Sequence, residues 1–237
     1  MAVLGCVQIP SDVTLEDEGP PFARKLGLDL RMVKVHFDSD DICASTYLRA
    51  MEREELTKAA QQLPQQCSVV GLSCTSYSFT LGSEKVREQL NAGLPDVPAT
   101  NMADAQLLAL KALNVRKVAL LTPYIEELSV ANAAMLESSG LEVVKRITMN
   151  LPTDELTSAL TPPEIAQWAL RVDVPCADCV VIGCSALRAC QENFLDDLEA
   201  QLGKPVVTST QAFLWRMARL AGATNHISGY GRLLSAC

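Results

Sequence analysis

Short apolar runs alternate along this chain with longer segments in which apolar residues recur every three or four positions. Apolar runs of about four to eight residues are typical of buried strands, and the longer period is typical of helices. Buried strands are predicted at Ala2–Ile9, Ser68–Leu72, Lys117–Leu121, Cys179–Ile182 and Pro205–Thr208, and helices at Met102–Leu113, Glu126–Ser138, Pro162–Val172 and Gln211–Leu220. This alternation predicts an α/β fold of doubly wound parallel sheets with helices on both faces.

Three other segments have weaker patterns. The acidic and turn residues of Asp12–Pro21 predict a loop. Apolar residues at helical spacing predict one helix over Thr46–Leu63 and another over Ala189–Leu202, the latter ended by Gly203.

Two segments of the chain resemble one another, and each leads into a cysteine. Val69-Val70-Gly71-Leu72-Ser73 precedes Cys74, and Val180-Val181-Ile182-Gly183 precedes Cys184, 110 residues later. A second pair of strand–turn–helix segments begins at Pro98 and Pro205, at the similar offset of 107 residues. Any doubly wound fold repeats strand, turn and helix, but two matches at nearly one offset favour a duplication. Two pseudo-symmetric lobes are predicted, an N-terminal lobe of residues 1–113 plus 214–237 and a C-terminal lobe of residues 114–213.

Composition narrows the classes of partner. The net charge of −8 argues against a nucleic acid or an anionic membrane surface as partner. The chain opens without a charged segment, and no apolar run reaches about 18 residues, so neither a signal peptide nor a membrane span is predicted. Nine cysteines, an odd number in a chain of 237 residues, favour free thiols in a reducing cytoplasm. The apolar helix faces suggest a homo-oligomer, a dimer or higher.

Cys74 and Cys184 are the leading candidates for chemistry. Ligands of parallel sheets bind beyond the carboxyl ends of the strands, where both cysteines are predicted to lie. Neighbouring hydroxyls and amides, those of Thr75, Ser76 and Ser185, are suited to hold a carboxylate or enolate oxygen. The alternative is that buried cysteines act only as small apolar residues.

Other polar residues give weaker signals. Tyr124 follows a predicted strand and could bind an oxyanion, but its spacing alone favours an aromatic residue at a helix start. Asn150 could likewise be an ordinary turn residue. Cys176 and Cys179 form a CxxC pair, which we interpret as structural because the chain has only two histidines and no second pair at metal-ligand spacing. No metal site is therefore predicted.

The ordered set of motifs resembles the Asp/Glu racemase superfamily, in particular the branch of maleate cis-trans isomerases and arylmalonate decarboxylases. The resemblance rests on Ser11-Asp12-Val13-Thr14, Cys74-Thr75-Ser76, Thr122-Pro123-Tyr124, Asn150-Leu151 and Gly183-Cys184-Ser185. It implies two pseudo-symmetric α/β lobes, a site between them and no cofactor. It also implies that Asp12, Thr75, Ser76, Tyr124, Asn150 and Ser185 contact a small carboxylic acid substrate.

The resemblance implies different roles for the two thiols. In the isomerase branch Cys74 would add to the double bond of a small dicarboxylic acid and Cys184 would transfer the proton. An amino-acid racemase of the Asp/Glu or hydantoin type would use both thiols for proton transfer. Arylmalonate decarboxylases have glycine at the position of Cys74, so the presence of both cysteines favours an isomerase or racemase. A binding protein for small acids is the non-enzymatic alternative.

Asp12 departs from the pattern of the branch, in which maleate isomerases have an asparagine that binds a substrate carboxylate. A carboxylate at this position repels a substrate carboxylate unless it is protonated or paired. Asp12 could instead contact an ammonium or hydroxyl group, so the sequence does not identify the substrate.

Overall fold

The computed structural model describes residues 1–39 and 43–236, so Cys237 lies outside the described residues. It contains two four-stranded parallel sheets that follow one another along the chain. The first sheet comprises β1 (Val3–Gln8), β2 (Asp29–Lys34), β3 (Val69–Leu72) and β4 (Ala99–Asn101), and the second β5 (Lys117–Thr122), β6 (Glu142–Thr148), β7 (Cys179–Ile182) and β8 (Val206–Thr208).

Helices cover both sheets. Those that accompany the first sheet are α1 (Thr14–Lys25), α2 (Ala44–Glu52), α3 (Glu55–Ala60), α4 (Thr75–Leu81), α5 (Ser83–Gly93) and α6 (Met102–Ala112). Those that follow are α7 (Glu126–Ser138), α8 (Asp154–Ser158), α9 (Pro162–Val172), α10 (Phe194–Leu202), α11 (Ser209–Leu220) and α12 (Arg232–Ala236). None of the helices within the described ranges has the length and apolar composition that a membrane span requires.

The two sheets have the same topology. Their strand orders are β2-β1-β3-β4 and β6-β5-β7-β8, so each strand of the first sheet has a counterpart at the same place in the second. The inner strands β3 and β7 are fully buried, which is why they appear in the sequence as continuous apolar runs. The prediction of an α/β fold with two pseudo-symmetric parallel lobes is confirmed. The exact lobe boundaries, 1–113 plus 214–237 and 114–213, stay a prediction.

A shared apolar core joins the two sheets. It contains Leu4 and Val69 of the first sheet, Val118 and Val181 of the second, and Phe213 of α11. Helices α6 and α11 pack extensively on one another, and α11 also contacts α1, β3 and β8. The two strand ends that carry the cysteines are therefore built on one continuous core.

The predicted loop at Asp12–Pro21 was wrong, because α1 begins at Thr14 and continues through Pro20 and Pro21. Each proline lacks the N–H that the helix would use, which disfavours a helix interior. The helix nevertheless buries Leu15 and Phe22 completely. This burial of apolar surface outweighs the local preference for a loop.

Two predicted helices differ in extent from those observed. The segment Thr46–Leu63 forms two helices rather than one, because the chain adopts a left-handed conformation at Glu54, with φ of 55°. The break lets α2 pack on α4 while α3 packs on α5 and β1. The helix predicted over Ala189–Leu202 begins only at Phe194, after Asn193 in a left-handed conformation with φ of 68°.

Candidate active site

Cys74 and Cys184 occupy equivalent places in the two lobes. Cys74 lies two residues beyond the end of β3, and Cys184 lies two residues beyond the end of β7. Both side chains are almost fully buried. Ligands of parallel sheets bind at this end of the strands. Phe79 of α4, the helix that Cys74 caps, packs against Tyr124 with ring centroids 6.2 Å apart, and Tyr124 lies in the same apolar cluster as Cys184.

Several donors surround the Cys74 thiol. Cys74 caps α4, and its Sγ lies 3.5 Å from the amide nitrogen of Tyr77 and 3.5 Å from Oγ of Ser76. The Ser76 hydroxyl is in turn 2.7 Å from the phenol oxygen of Tyr47. Burial raises the pKa of Cys74 to about 12, and the Ser76 hydroxyl and the Tyr77 amide oppose this rise.

Cys184 has a backbone conformation that is unusual for a residue with a side chain. Its φ is +93°, in a region that favours glycine, and its amide donates to Oγ of Ser209 at 3.0 Å. A Cβ at Gly183 would lie 2.8 Å from the Asn132 side-chain oxygen, so a larger residue immediately before the cysteine would require Asn132 to move. Such strain is often found at functional sites, where surrounding contacts hold it.

The turn after Cys184 is fixed from two sides. The Thr14 hydroxyl at the start of α1 donates to the Ala186 carbonyl at 2.8 Å, and the Thr210 hydroxyl lies 3.5 Å from the Ser185 carbonyl. Burial is the main cause that raises the pKa of Cys184, and the charges of Asp154 and Asp12 add to it. Burial therefore favours the protonated form of both thiols.

Four residues predicted to hold substrate oxygens are buried near the two cysteines. Thr75 and Ser76 begin α4 directly after Cys74, and Ser185 follows Cys184. The Tyr124 phenol is buried, and its oxygen has no hydrogen-bond partner among the described residues. Burial is the largest cause that raises the pKa of Tyr124, and its ring belongs to the same apolar cluster as Cys184.

Asp12 is fully buried at the same site. Its Oδ1 accepts from the amide of Thr14 at 3.0 Å, whereas Oδ2 has no partner in the part of the chain that the structure describes. Burial is the largest cause that raises the pKa of Asp12 to about 6; the Ser185 hydroxyl lowers it, and the charge of Asp154 raises it further.

Asn150 does not join this group. It lies exposed in the turn after β6, with φ of +56°, and its amide nitrogen is 3.4 Å from the Thr148 hydroxyl. The role in substrate binding that the resemblance implies for Asn150 stays a prediction without a supporting contact.

Asp154 was missed by the sequence analysis, although its charge acts on both cysteines and on Asp12. It is the first residue of α8, and its Oδ2 accepts from the Ser11 hydroxyl at 2.6 Å. This bond joins the loop after β1 to the loop after β6, across the two lobes. The available signal was Thr153, an N-cap residue type directly before Asp154, which marks a helix start beyond a strand end.

The CxxC pair lies at the N-terminal end of β7, whereas Cys184 follows the C-terminal end of the same strand. Cys179 begins β7 and is buried, whereas Cys176 lies before the strand and is exposed. Within residues 1–39 and 43–236, no three histidine, cysteine, aspartate or glutamate side chains cluster as metal ligands.

The family model of arylmalonate decarboxylase matches residues 20–234. The chain belongs to the arylmalonate decarboxylase family. It is 31% identical over 191 residues to an arylmalonate decarboxylase of Bordetella bronchiseptica, a match that covers 76% of this chain and 77% of that protein. It is also 22% identical over 251 residues to a maleate isomerase of Geobacillus stearothermophilus, covering 98% and 96% of the two chains.

Solved structures of both kinds of enzyme share the fold of this family member. A liganded double variant of arylmalonate decarboxylase superposes with a TM-score of 0.84 at 25% identity over 100% of both chains. A variant of the maleate cis-trans isomerase of Nocardia farcinica, with a covalently bound succinylcysteine intermediate, has a TM-score of 0.86 at 20% identity, covering 100% and 99%. The resemblance that the sequence motifs indicated is thereby confirmed.

Proposed function

We propose that the chain is a cofactor-independent cis-trans isomerase of a small unsaturated dicarboxylic acid or a close derivative of one. The observation that supports this proposal is the pair of buried thiols, Cys74 and Cys184, at equivalent strand ends of the two lobes. Two thiols at one carbon framework allow a nucleophile and a proton donor to act on the same substrate.

In the proposed reaction, the Cys74 thiol first gives its proton to solvent water, and the resulting thiolate then adds to one carbon of the double bond. The π electrons move toward the other carbon of the double bond and the acyl group attached to it. That carbon then takes the proton of the Cys184 thiol. The carbon–carbon bond is now single and rotates. The Cys184 thiolate then removes the same proton, the double bond re-forms and the carbon–sulfur bond breaks, which returns the Cys74 thiolate.

The surrounding donors are suited to the charges that form. The Tyr77 amide and the Ser76 hydroxyl lie at the Cys74 sulfur and would stabilise its thiolate. The unpartnered Tyr124 phenol is available to hold an acyl oxygen, where negative charge develops during addition.

The experiment that tests this proposal compares single cysteine variants. Cys74→Ser and Cys184→Ser are each expected to lower turnover by about 10²-fold or more, because each removes a nucleophile or a proton donor. In Cys184→Ser, mass spectrometry is expected to detect a covalent adduct on Cys74. Cys176→Ser is the matched control, since Cys176 is exposed at the far edge of the sheet. Full activity of Cys74→Ser would rule out the two-thiol mechanism.

Decarboxylation of an arylmalonate is the second candidate, favoured by the 31% identity to the decarboxylase of Bordetella bronchiseptica. It requires one thiol as proton donor, for which Cys184 is the candidate. Release of CO₂ from phenylmalonate by Cys74→Ser would support this reaction. A racemase would instead incorporate deuterium at the α-carbon of recovered substrate in D₂O, and a binding protein would turn over none of these compounds.

A further inference from the structure

The candidate active site contains two acids, Asp12 and Asp154, that have no basic partner among the described residues. Asp154 lines one cavity together with Tyr124, and the charges of Asp12 and Asp154 raise the pKa of Cys74 and Cys184. Across residues 1–39 and 43–236, no lysine or arginine forms an ion pair or hydrogen bond with either acid. Within the described ranges, the one side-chain partner of Asp154 is the uncharged Ser11 hydroxyl. This is an unfavourable surface for a substrate with two negative charges.

Two buried oxygens at the site have no hydrogen-bond partner in the part of the chain that the structure describes. The Oδ2 atom of Asp12 and the phenol oxygen of Tyr124 both lack hydrogen bonds among the described residues, although both side chains are more than nine-tenths buried. Native proteins satisfy nearly all such groups, so a bound ligand is expected to supply the missing partners. A carboxylate oxygen accepts hydrogen bonds and a phenol can donate one.

These two orphan atoms require different groups from the ligand. Asp12 needs a donor, an N–H or O–H, whereas Tyr124 can donate to a carboxylate or carbonyl oxygen. The group at Asp12 also takes the place of one carboxyl group of the proposed substrate, because that substrate is a dicarboxylic acid or a close derivative of one. A primary amide meets both conditions and has the planar shape of a carboxylate. An ammonium group would donate but is not a derivative of a carboxyl group.

We propose that the substrate is a half-amide of a small cis-unsaturated dicarboxylic acid, whose amide N–H groups bind Asp12 and face Asp154. This inference rests on the proposed function for the reaction, and it adds the substrate class. Asp12 and Asp154 are then specificity residues, which accept the amide and reject a second carboxylate by charge repulsion.

Binding of unreactive analogues separates this inference from the reaction. Succinamate and succinate differ only in one amide and have no double bond, so their affinities are independent of any thiol addition. At pH 8, calorimetric titration of the wild-type protein is expected to give a Kd for succinamate about tenfold or more below that for succinate. Stronger binding of succinate, equal binding of both or binding of neither would overturn the substrate class.

Substitutions then test the two acids. Asp12→Asn removes the charge and keeps the shape, and it is expected to reverse the preference toward succinate by about tenfold. Asp154→Asn is expected to shift the preference in the same direction and serves if the first variant does not fold. Asp96→Asn is the matched control, because Asp96 is exposed and asparagine tolerates its φ of +61°. An unchanged ratio in both active-site variants would contradict the assignment.

Turnover distinguishes the two proposals from each other. Maleamate is expected to be isomerised with a higher kcat/KM than maleate at pH 8, and the activity should require Cys74. If succinamate is preferred but neither maleamate nor maleate is isomerised, the half-amide assignment is supported and the proposed reaction is wrong. If maleate is isomerised in preference to maleamate, the reaction is supported and the half-amide is wrong.

Discussion

Glu18 is a buried acid that is not one of the candidate active-site residues, and its burial affects the stability of the whole protein. Its side chain lies in α1, and both carboxylate oxygens are 3.2 Å from the amide nitrogen of Cys190. Burial raises the pKa of Glu18 to about 8, against the opposing effects of the Cys190 amide and the charge of Arg188. The folded protein therefore holds a proton on Glu18 over a pH range in which the unfolded chain releases it.

This difference predicts a loss of stability as pH rises. The pKa is raised on folding, so the contribution of Glu18 is fully present below the ordinary pKa of 4.5 and is lost as pH rises through about 8. Glu18→Gln is expected to be more stable than wild type at pH 9 by on the order of 3 kcal/mol, and nearly equal to it at pH 5. Urea unfolding at both pH values measures this, with the exposed Glu88→Gln as control. An equal effect at both pH values would contradict the assignment.

The site could be predicted from sequence wherever a residue follows a strand directly. Cys74, Cys184 and Tyr124 each come within two residues of a strand end, and the strand pattern therefore locates them. Asp154 comes six residues after β6, and its position depends on how the intervening loop folds back toward Ser11. That path is set by a contact 143 residues away in sequence, which no local pattern contains.

Whole elements also differ in whether local sequence or distant contacts determine them. Helices α7 and α9 were predicted to the residue, because two acidic residues form the first turn of α7 and Thr161 followed by Pro162 marks the start of α9. Helix α1 was missed because Pro20 and Pro21 argue against it locally, whereas its apolar face is buried by the first sheet. The break at Glu54 was missed for a related reason, since α2 and α3 pack on different elements. Tertiary contacts thus decided the cases in which local preference was wrong.

The close approach of α11 to β3 depends on Gly71. A Cβ at this position would lie 2.6 Å from the Phe213 ring and 2.7 Å from the Met217 sulfur, both of which are buried. Gly71→Ala is therefore expected to destabilise the protein by about 1–3 kcal/mol through overpacking. In the double variant with Met217→Ala, the total loss measured by urea unfolding should be smaller than the sum of the two single losses. Additive losses would show that the methyl group is accommodated elsewhere.

At the scale of the whole molecule, the two lobes share their core instead of meeting at a polar boundary. The cluster that contains Leu4 and Val69 of the first sheet also contains Val118 and Val181 of the second, with Phe213 from α11 among them. Because the thiols extend from strands of different lobes, this shared core fixes the geometry in which they would act together. We therefore expect the lobes to unfold as one cooperative unit.

Phe213→Ala tests this expectation directly. The Phe213 ring is fully buried in the cluster that both sheets line, and its removal is expected to cost about 3–5 kcal/mol. If the lobes form one unit, urea unfolding of the variant should keep a single transition, and native-state hydrogen exchange should show the same loss of protection in β3 and β7. Leu90→Ala is the matched comparison, because Leu90 is also fully buried but belongs to a cluster formed by the first lobe alone. Its effect should likewise extend to β7. Protection in β7 that stays at the wild-type level in either variant would mean that the second lobe is stable by itself, and that the spacing of the two thiols is set by the surface contacts of the lobes.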